Sequence, residues 1–331
     1  MAYDGKVMRL ALQKFEEDRR KRESDFQAWK ETVFDREPRL KTVDTRLRST
    51  ASRIIASALR YGTDPATVVE SLREENLALQ EERRELLRSL GLEEDALEER
   101  PDCPFCGDTG YRGGSVCRCL RNYYAREQQK ELSRMLDLGS QSFDTFELDW
   151  YPDTLMPGKS LTFRQHMEEK VLTYCHEFAR LFGRRTDNLL MVGPPGLGKT
   201  HLSAAIAREV SEKGYSVVYD TASHVFERFE AQKFSRENEE ADSDVDRVLN
   251  CDLLILDDLG TEMTTAFVQS ALYTIVNTRL MEKRSTIIST NLRPDDLALR
   301  YSPQVASRIE GEYQMLTFLG EDIRKLKRNR R

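Results

Sequence analysis

Residues Gly193-Pro194-Pro195-Gly196-Leu197-Gly198-Lys199-Thr200 have the spacing G-x-x-x-x-G-K-T. Glycines let a backbone curl until its N–H groups face a ligand. A helix that starts at Lys199 adds unpaired N–H groups and the positive end of its dipole, so the segment reads as a cradle for phosphates. The spacing puts Lys199 within reach of β- and γ-phosphates, Thr200 against Mg²⁺, and His201 beside them. Further on, Leu253-Leu254-Ile255-Leu256 runs into Asp257-Asp258. Asp257 suits a Mg²⁺ ligand, directly or through water; Asp258 suits orientation or deprotonation of an attacking water, or else a helix cap or a solvated loop acid. The next apolar run ends Ser289-Thr290-Asn291, where Asn291 suits either an amide that reads the γ-phosphate or a turn before Pro294. A second chemistry sits upstream. Cys103 and Cys106 are two residues apart, Cys117 and Cys119 one apart, and Gly107 and Gly110 let the chain fold back. Four thiolates make a closed tetrahedral set that fits structural Zn²⁺, with redox-active or buried free thiols as the alternative. A knuckle this small cannot bury a core of its own and depends on metal to fold. Cys175 and Cys251 stand alone in apolar runs and read as buried thiols.

These residues need a sheet to hold them. Apolar runs at 188–192, 215–219, 252–257, 285–289 and 314–318 have strand length, and helical periodicity separates them; Leu161 to Phe182 also reads as a helix. That alternation predicts an α/β fold, a largely parallel sheet between helices. Residues 1–100 are charged and helical in pattern. Asp64-Pro65 looks like an N-cap with proline at N1. Leu72, Leu79 and Leu86 are seven apart, which suits either a short coiled coil with Asn76 setting the register or a helix packed in its own domain. The expected organisation is a helical, partner-binding region at 1–100, a four-cysteine zinc module at 101–125, an aromatic and acidic linker at 126–160, and an ATPase domain at 161–331.

Bulk composition bounds the classes. The chain has 331 residues, 39% hydrophobic and 33% charged, with a net charge of −6. That length fits two domains, and the polarity fits an exposed helical part beside a folded core. The negative balance excludes a surface coated in positive charge but not a local basic groove. No apolar run approaches the ~18 residues of a spanning helix, so a cytoplasmic protein without a membrane partner is expected. The end of the chain, with Arg324, Lys325, Lys327, Arg328, Arg330 and Arg331, suits phosphate contacts on nucleic acid or a solvated tail. Arg279, Lys283 and Arg284 are further candidates for DNA contact.

With G-P-P-G-L-G-K-T-H at 193–201, L-I-L-D-D-L-G at 254–260, S-T-N at 289–291 and V-A-S-R-I at 305–309, the part from about 160 to 331 resembles the AAA+ core of the DnaC/DnaI-like helicase loaders and of the related IstB transposition helpers. The resemblance implies ATP and Mg²⁺ as ligands and ATP hydrolysis as the reaction. It implies Asn291 as the sensor residue and Arg308 as a finger reaching the ATP site of a neighbouring copy, hence a homo-oligomer. An always-charged, bidentate guanidinium suits that task; a surface ion pair is the alternative for Arg308, and Arg300 the nearest competitor. It also implies a replicative DNA helicase and single-stranded DNA as partners, and supports zinc in the cysteine knuckle. The chain departs from the wider pattern in ending its second motif Asp257-Asp258 rather than Asp-Glu, which fits slow, partner-stimulated hydrolysis. It also leaves little chain after the last strand for a helical lid.

Overall fold

The computed structural model describes residues 3–58, 65–134, 136–137, 140–185, 187–234 and 239–330. The expected Asp64 cap and Arg331 lie outside them. The helices and strands are α1 Gly5–Arg36, α2 Pro38–Ala58, α3 Pro65–Ser89, β1 Tyr111–Arg112, β2 Ser115–Val116, α4 Arg118–Leu132, α5 Phe163–His166, α6 Thr173–Leu181, β3 Leu189–Val192, α7 Lys199–Glu212, β4 Val217–Thr221, α8 Ala222–Phe234, α9 Glu239–Asn250, β5 Leu253–Leu259, α10 Ala266–Met281, β6 Ser285–Thr290, α11 Pro294–Arg300, α12 Pro303–Glu312, β7 Gln314–Thr317 and α13 Ile323–Arg330. Two compact units result, one of residues 1–13 with 118–331 and one of residues 14–117.

The larger unit is built on a five-stranded parallel sheet in the order β4-β5-β6-β3-β7. Side-chain alternation explains its two layers. Leu189, Met191, Val217, Tyr219, Leu253, Ile255 and Ile287 face one core with Leu202, Ile206 and Val210 of α7. Their even-numbered neighbours Leu190, Val192, Val218, Leu254, Leu256 and Ile288 face another, with Phe226, Leu272, Ile275 and Ile309. Both faces are covered, so the strands are apolar throughout. The expected helix from Leu161 to Phe182 begins at Phe163, where Thr162 and Gln165 form a capping box, and widens to a π-helix at Met167–Leu172 before α6. Segments expected as a linker join this unit: Leu132, Leu136, Phe146 and Tyr151 are buried in the α7-side core. So does the start of α1, where Asp4, just before the helix, pairs with Arg247, which also pairs with Glu131.

Arg279, a candidate for DNA contact by sequence, is fully buried. Its guanidinium donates to the carbonyls of Val248, Leu249 and Cys251 at the end of α9, to Ser285 O and to Thr286 Oγ1. A cation at a helix C-terminus is favourable, and no surface remains for nucleic acid. Cys175 and Cys251 are buried, and burial pushes both thiols up in pKa.

The smaller unit is a helical assembly in which α3 packs along α2. Leu72 and Leu79 are buried there, and Asn76 Nδ2 donates to Thr50 Oγ1 at 3.1 Å. The leucine seam is therefore spent on the chain's own helices. Lys30, 4% exposed, is paired with Asp44 at 3.2 Å. A cavity of about 830 Å³ opens there between Arg48, Arg83, Glu94 and Glu98.

Candidate nucleotide site

All five sheet strands point their C-terminal ends to one edge, and the chain leaves β3 there into the glycine loop. β3 lies between β6 and β7 while its sequence successor β4 lies at the far side of the sheet. Ligands of open α/β sheets bind at such a switch point. Gly196 and Gly198 have φ of 80° and 85°. At Gly198 a Cβ would come within 2.7 Å of Phe146, so the left-handed turn into α7 and the close packing both require glycine.

Lys199 is 5% exposed. Its ammonium donates to Gly193 O at 2.5 Å, Pro194 O at 2.9 Å and Asn291 Oδ1 at 2.8 Å. Burial lowers its pKa, while Asp258 and Asp257 pull it back up. Thr200 Oγ1 donates to Asp257 Oδ2 at 3.1 Å. Asp257 is 3% exposed and also accepts from the hydroxyls of Tyr219 and Ser289. His201 Nε2 lies 2.8 Å from Ser142 O, and its ring meets Phe146 edge-on at 5.4 Å, so His201 ties the 140–146 segment to α7.

A regular strand would send Asp257 and Asp258 to opposite faces. Here the β5–β6 register shifts between the pairs Leu256–Ile288 and Leu259–Thr290, so two residues of β5 stand against Ser289 alone. Asp258 takes φ of 55° at this bulge, a left-handed conformation that costs roughly 1–2 kcal/mol for a non-glycine residue. The bulge re-aims the Asp258 carboxyl into the same cavity as Lys199 and Asn291. Partial burial and then the neighbouring Asp257 charge raise its pKa, against Lys199 and Arg324. A carboxylate so tuned is a better proton acceptor than a free one.

The cavity, about 560 Å³, brings Gly196, Gly198, Lys199, Thr200, His201, Asp258 and Asn291 together. Two segments read otherwise in the sequence complete it. Phe146, Trp150 and Tyr151 supply an aromatic wall, and Tyr151 Oη donates to Leu197 O at 2.9 Å. The basic end of the chain folds as α13, whose Ile323 N donates to Gly196 O at 3.0 Å, with Arg324 and Lys327 lining the cavity. Four aromatics within nine residues, Phe143 to Tyr151, were the available sign that 143–151 is no mere linker; the sequence marked Arg324 only as part of a basic end suited to nucleic-acid phosphates or a solvated tail. Arg308 does not line this cavity. It lies on α12, over the Tyr273 ring at 4.8 Å, with Nε donating to Asn277 Oδ1 at 3.1 Å. Arg300 donates to Glu262 O.

The sulfurs of Cys103, Cys106, Cys117 and Cys119 all lie within 4.8 Å of one another, and Cys103 and Cys117 are 3.8 Å apart. Zn–S bonds of about 2.3 Å in a tetrahedron separate sulfurs by about 3.8 Å, so the set fits a metal ion. Asp108 accepts from the backbone N–H of Cys103 at 2.8 Å and steadies the first thiol pair. Among the described residues no helix is long and apolar enough to cross a membrane.

Residues 160–298 match the family described as IstB-like ATP binding protein. The chain is 27% identical over 158 residues to the replicative helicase loader DnaC of Buchnera aphidicola subsp. Baizongia pistaciae, covering 47% of this chain and 64% of that one. It is 34% identical over 112 residues to the replicative helicase loader DnaI of Bacillus subtilis, covering 33% and 34%. It is also 34% identical over 104 residues to a putative insertion sequence ATP-binding protein of Sinorhizobium fredii, covering 31% and 34%. Among solved structures, the DnaC helicase loader aligns with a TM-score of 0.44 at 24% identity, over 55% of this chain and 99% of that one. The matches to these curated relatives thus span from about a third to just under two thirds of the relatives' own length. The strand order, the glycine loop with its Lys199–Asn291 and Thr200–Asp257 pairs, and the family match together make residues 160–298 an IstB-like ATP-binding domain.

Proposed function

We propose that the protein is an ATPase that loads a replicative DNA helicase onto DNA, with nucleotide state switching assembly and release. The observation that carries this reading is a complete phosphate site in one compact unit of a chain whose other unit is helical and leads into a four-thiol cluster. The names of the DnaC and DnaI relatives point the same way. The loop N–H groups and the start of α7 bind the β- and γ-phosphates, and Lys199 exchanges its carbonyl partners for phosphate oxygens. Thr200 and Asp257 hold Mg²⁺, which supplies charge neutralisation for the transferred phosphoryl group. Asp258 orients the attacking water and accepts its proton, Asn291 reads the γ-phosphate, and Arg324 adds positive charge from α13. Arg308, turned away from its own cavity, serves the site of a neighbouring copy. Slow turnover follows from the short Asp258 side chain. The residues at 1–100 bind the helicase, the four cysteines hold structural zinc, and exposed Lys325, Arg328 and Arg330 contact single-stranded DNA.

Co-purification of the protein with the replicative helicase of its host, in ATP and in ADP, tests the proposal. A complex whose amount changes with nucleotide is expected; no nucleotide-sensitive complex overturns it. A second reading, an ATP-dependent transposition helper, is favoured by the IstB-like family match and the insertion-sequence relative. Stimulation of a cognate transposase with no helicase complex would establish it instead.

A further inference from the structure

Ser289 lies outside the cavity and has no exposed surface. It stands alone on β6 opposite both acids of the β5 bulge. Its hydroxyl works in two directions: Oγ accepts the Asp258 backbone N–H at 3.0 Å and donates to Asp257 Oδ1. The bulge removes Asp257 and Asp258 from the regular ladder with β6, so the hydroxyl takes the place of a missing ladder carbonyl for Asp258 N–H. Next to it, Thr290 Oγ1 accepts from Leu292 N and donates to Leu259 O, closing the far side of the bulge. Asn291 then meets Lys199.

We propose that Ser289 is a positioning residue that locks the β5 bulge, so that Asp257 is fixed for the metal and Asp258 is aimed at the γ-phosphate side of the cavity. The assignment rests on the ATPase reading above. It separates two roles within the strand end: Asn291 touches the lysine that reaches the nucleotide, while Ser289 acts only through the two acids. Tyr219 donates to the other oxygen of Asp257.

The test is steady-state ATP turnover with separate measurement of the affinity for a fluorescent ATP analogue, on the full chain. Outer-shell partners of metal ligands typically contribute 10–100-fold. Ser289→Ala is therefore expected to lower kcat at least about tenfold, with analogue affinity in the absence of Mg²⁺ changed by less than about twofold. Ser289→Thr, which keeps the hydroxyl, is expected to restore most of kcat. Should Ser289→Ala not fold, the near-isosteric Ser289→Cys carries the same expectation. Turnover in Ser289→Ala or Ser289→Cys within twofold of the unsubstituted protein overturns the assignment. So does an equal loss of binding and turnover. Absence of turnover in the unsubstituted protein instead overturns the ATPase reading, and this assignment with it.

Discussion

Lys199 enters the site with its ammonium held by two loop carbonyls and the Asn291 amide oxygen. These are neutral acceptors, and charged phosphate oxygens outcompete them because opposite full charges add a Coulombic attraction to the hydrogen bond. Lys199→Ala removes that exchange and is expected to weaken binding of a fluorescent ATP analogue at least tenfold, about 1.4 kcal/mol. Asp258→Asn keeps size and hydrogen bonding but removes the proton acceptor. Its expected signature is retained analogue binding with turnover reduced by about 10²-fold or more, measured as phosphate release. Among the residues of the site, those tied to a motif were legible: Lys199, Thr200, Asp257, Asp258 and Asn291 meet around one cavity or its floor. Ser289 and Tyr219 were not singled out by sequence, because a serine or tyrosine in an apolar strand carries no mark of the carboxylate it will face.

Element boundaries followed from apolar period and turn chemistry. β3, β5 and β6 lie within two residues of their expected spans because a strand buried on both faces is a short continuous apolar run. The bulge in β5 was invisible, since it depends on which residues of β6 pair with it. Arg279 shows the same limit: its charge suggested a surface role, while α9 and β6 enclose it. Arg279→Met leaves four carbonyls without their donor, and unsatisfied buried acceptors cost about 1–3 kcal/mol each before relaxation. A loss of about 2–5 kcal/mol in stability is expected, read as a lower denaturant midpoint with unchanged slope. At the knuckle, the cysteine spacing predicted a metal set, and the four sulfurs do converge. The full chain is expected to carry one equivalent of zinc by elemental analysis, and Cys103→Ser to lose it, with new proteolytic cleavage near residues 100–120 and intact nucleotide binding.

At the scale of the whole molecule, Arg308 is expected to act between copies. Arg308→Ala should bind nucleotide normally and hydrolyse it poorly. Mixed with Lys199→Ala, which keeps Arg308 but binds nucleotide weakly, it should regain turnover, because the second protein supplies the arginine to the first. Mixtures no more active than their separate components would count against a shared site. Turnover of the unsubstituted protein should likewise rise with protein concentration more steeply than in proportion.

The sequence by itself determined the chemistry: a phosphate loop, two acids, a polar strand end and four metal-spaced thiols, each recognisable because a local residue pattern carries a local physical requirement. It also determined a parallel α/β sheet, because apolar strands alternating with helices have few other ways to bury both faces. Only the tertiary structure decided that α13 and the aromatic segment at 143–151 close the nucleotide cavity. It alone showed that Arg279 is internal, and that a bulge against Ser289 turns two consecutive carboxylates to the same site. Those outcomes depend on contacts between residues far apart in the chain, whose pairing no local pattern specifies.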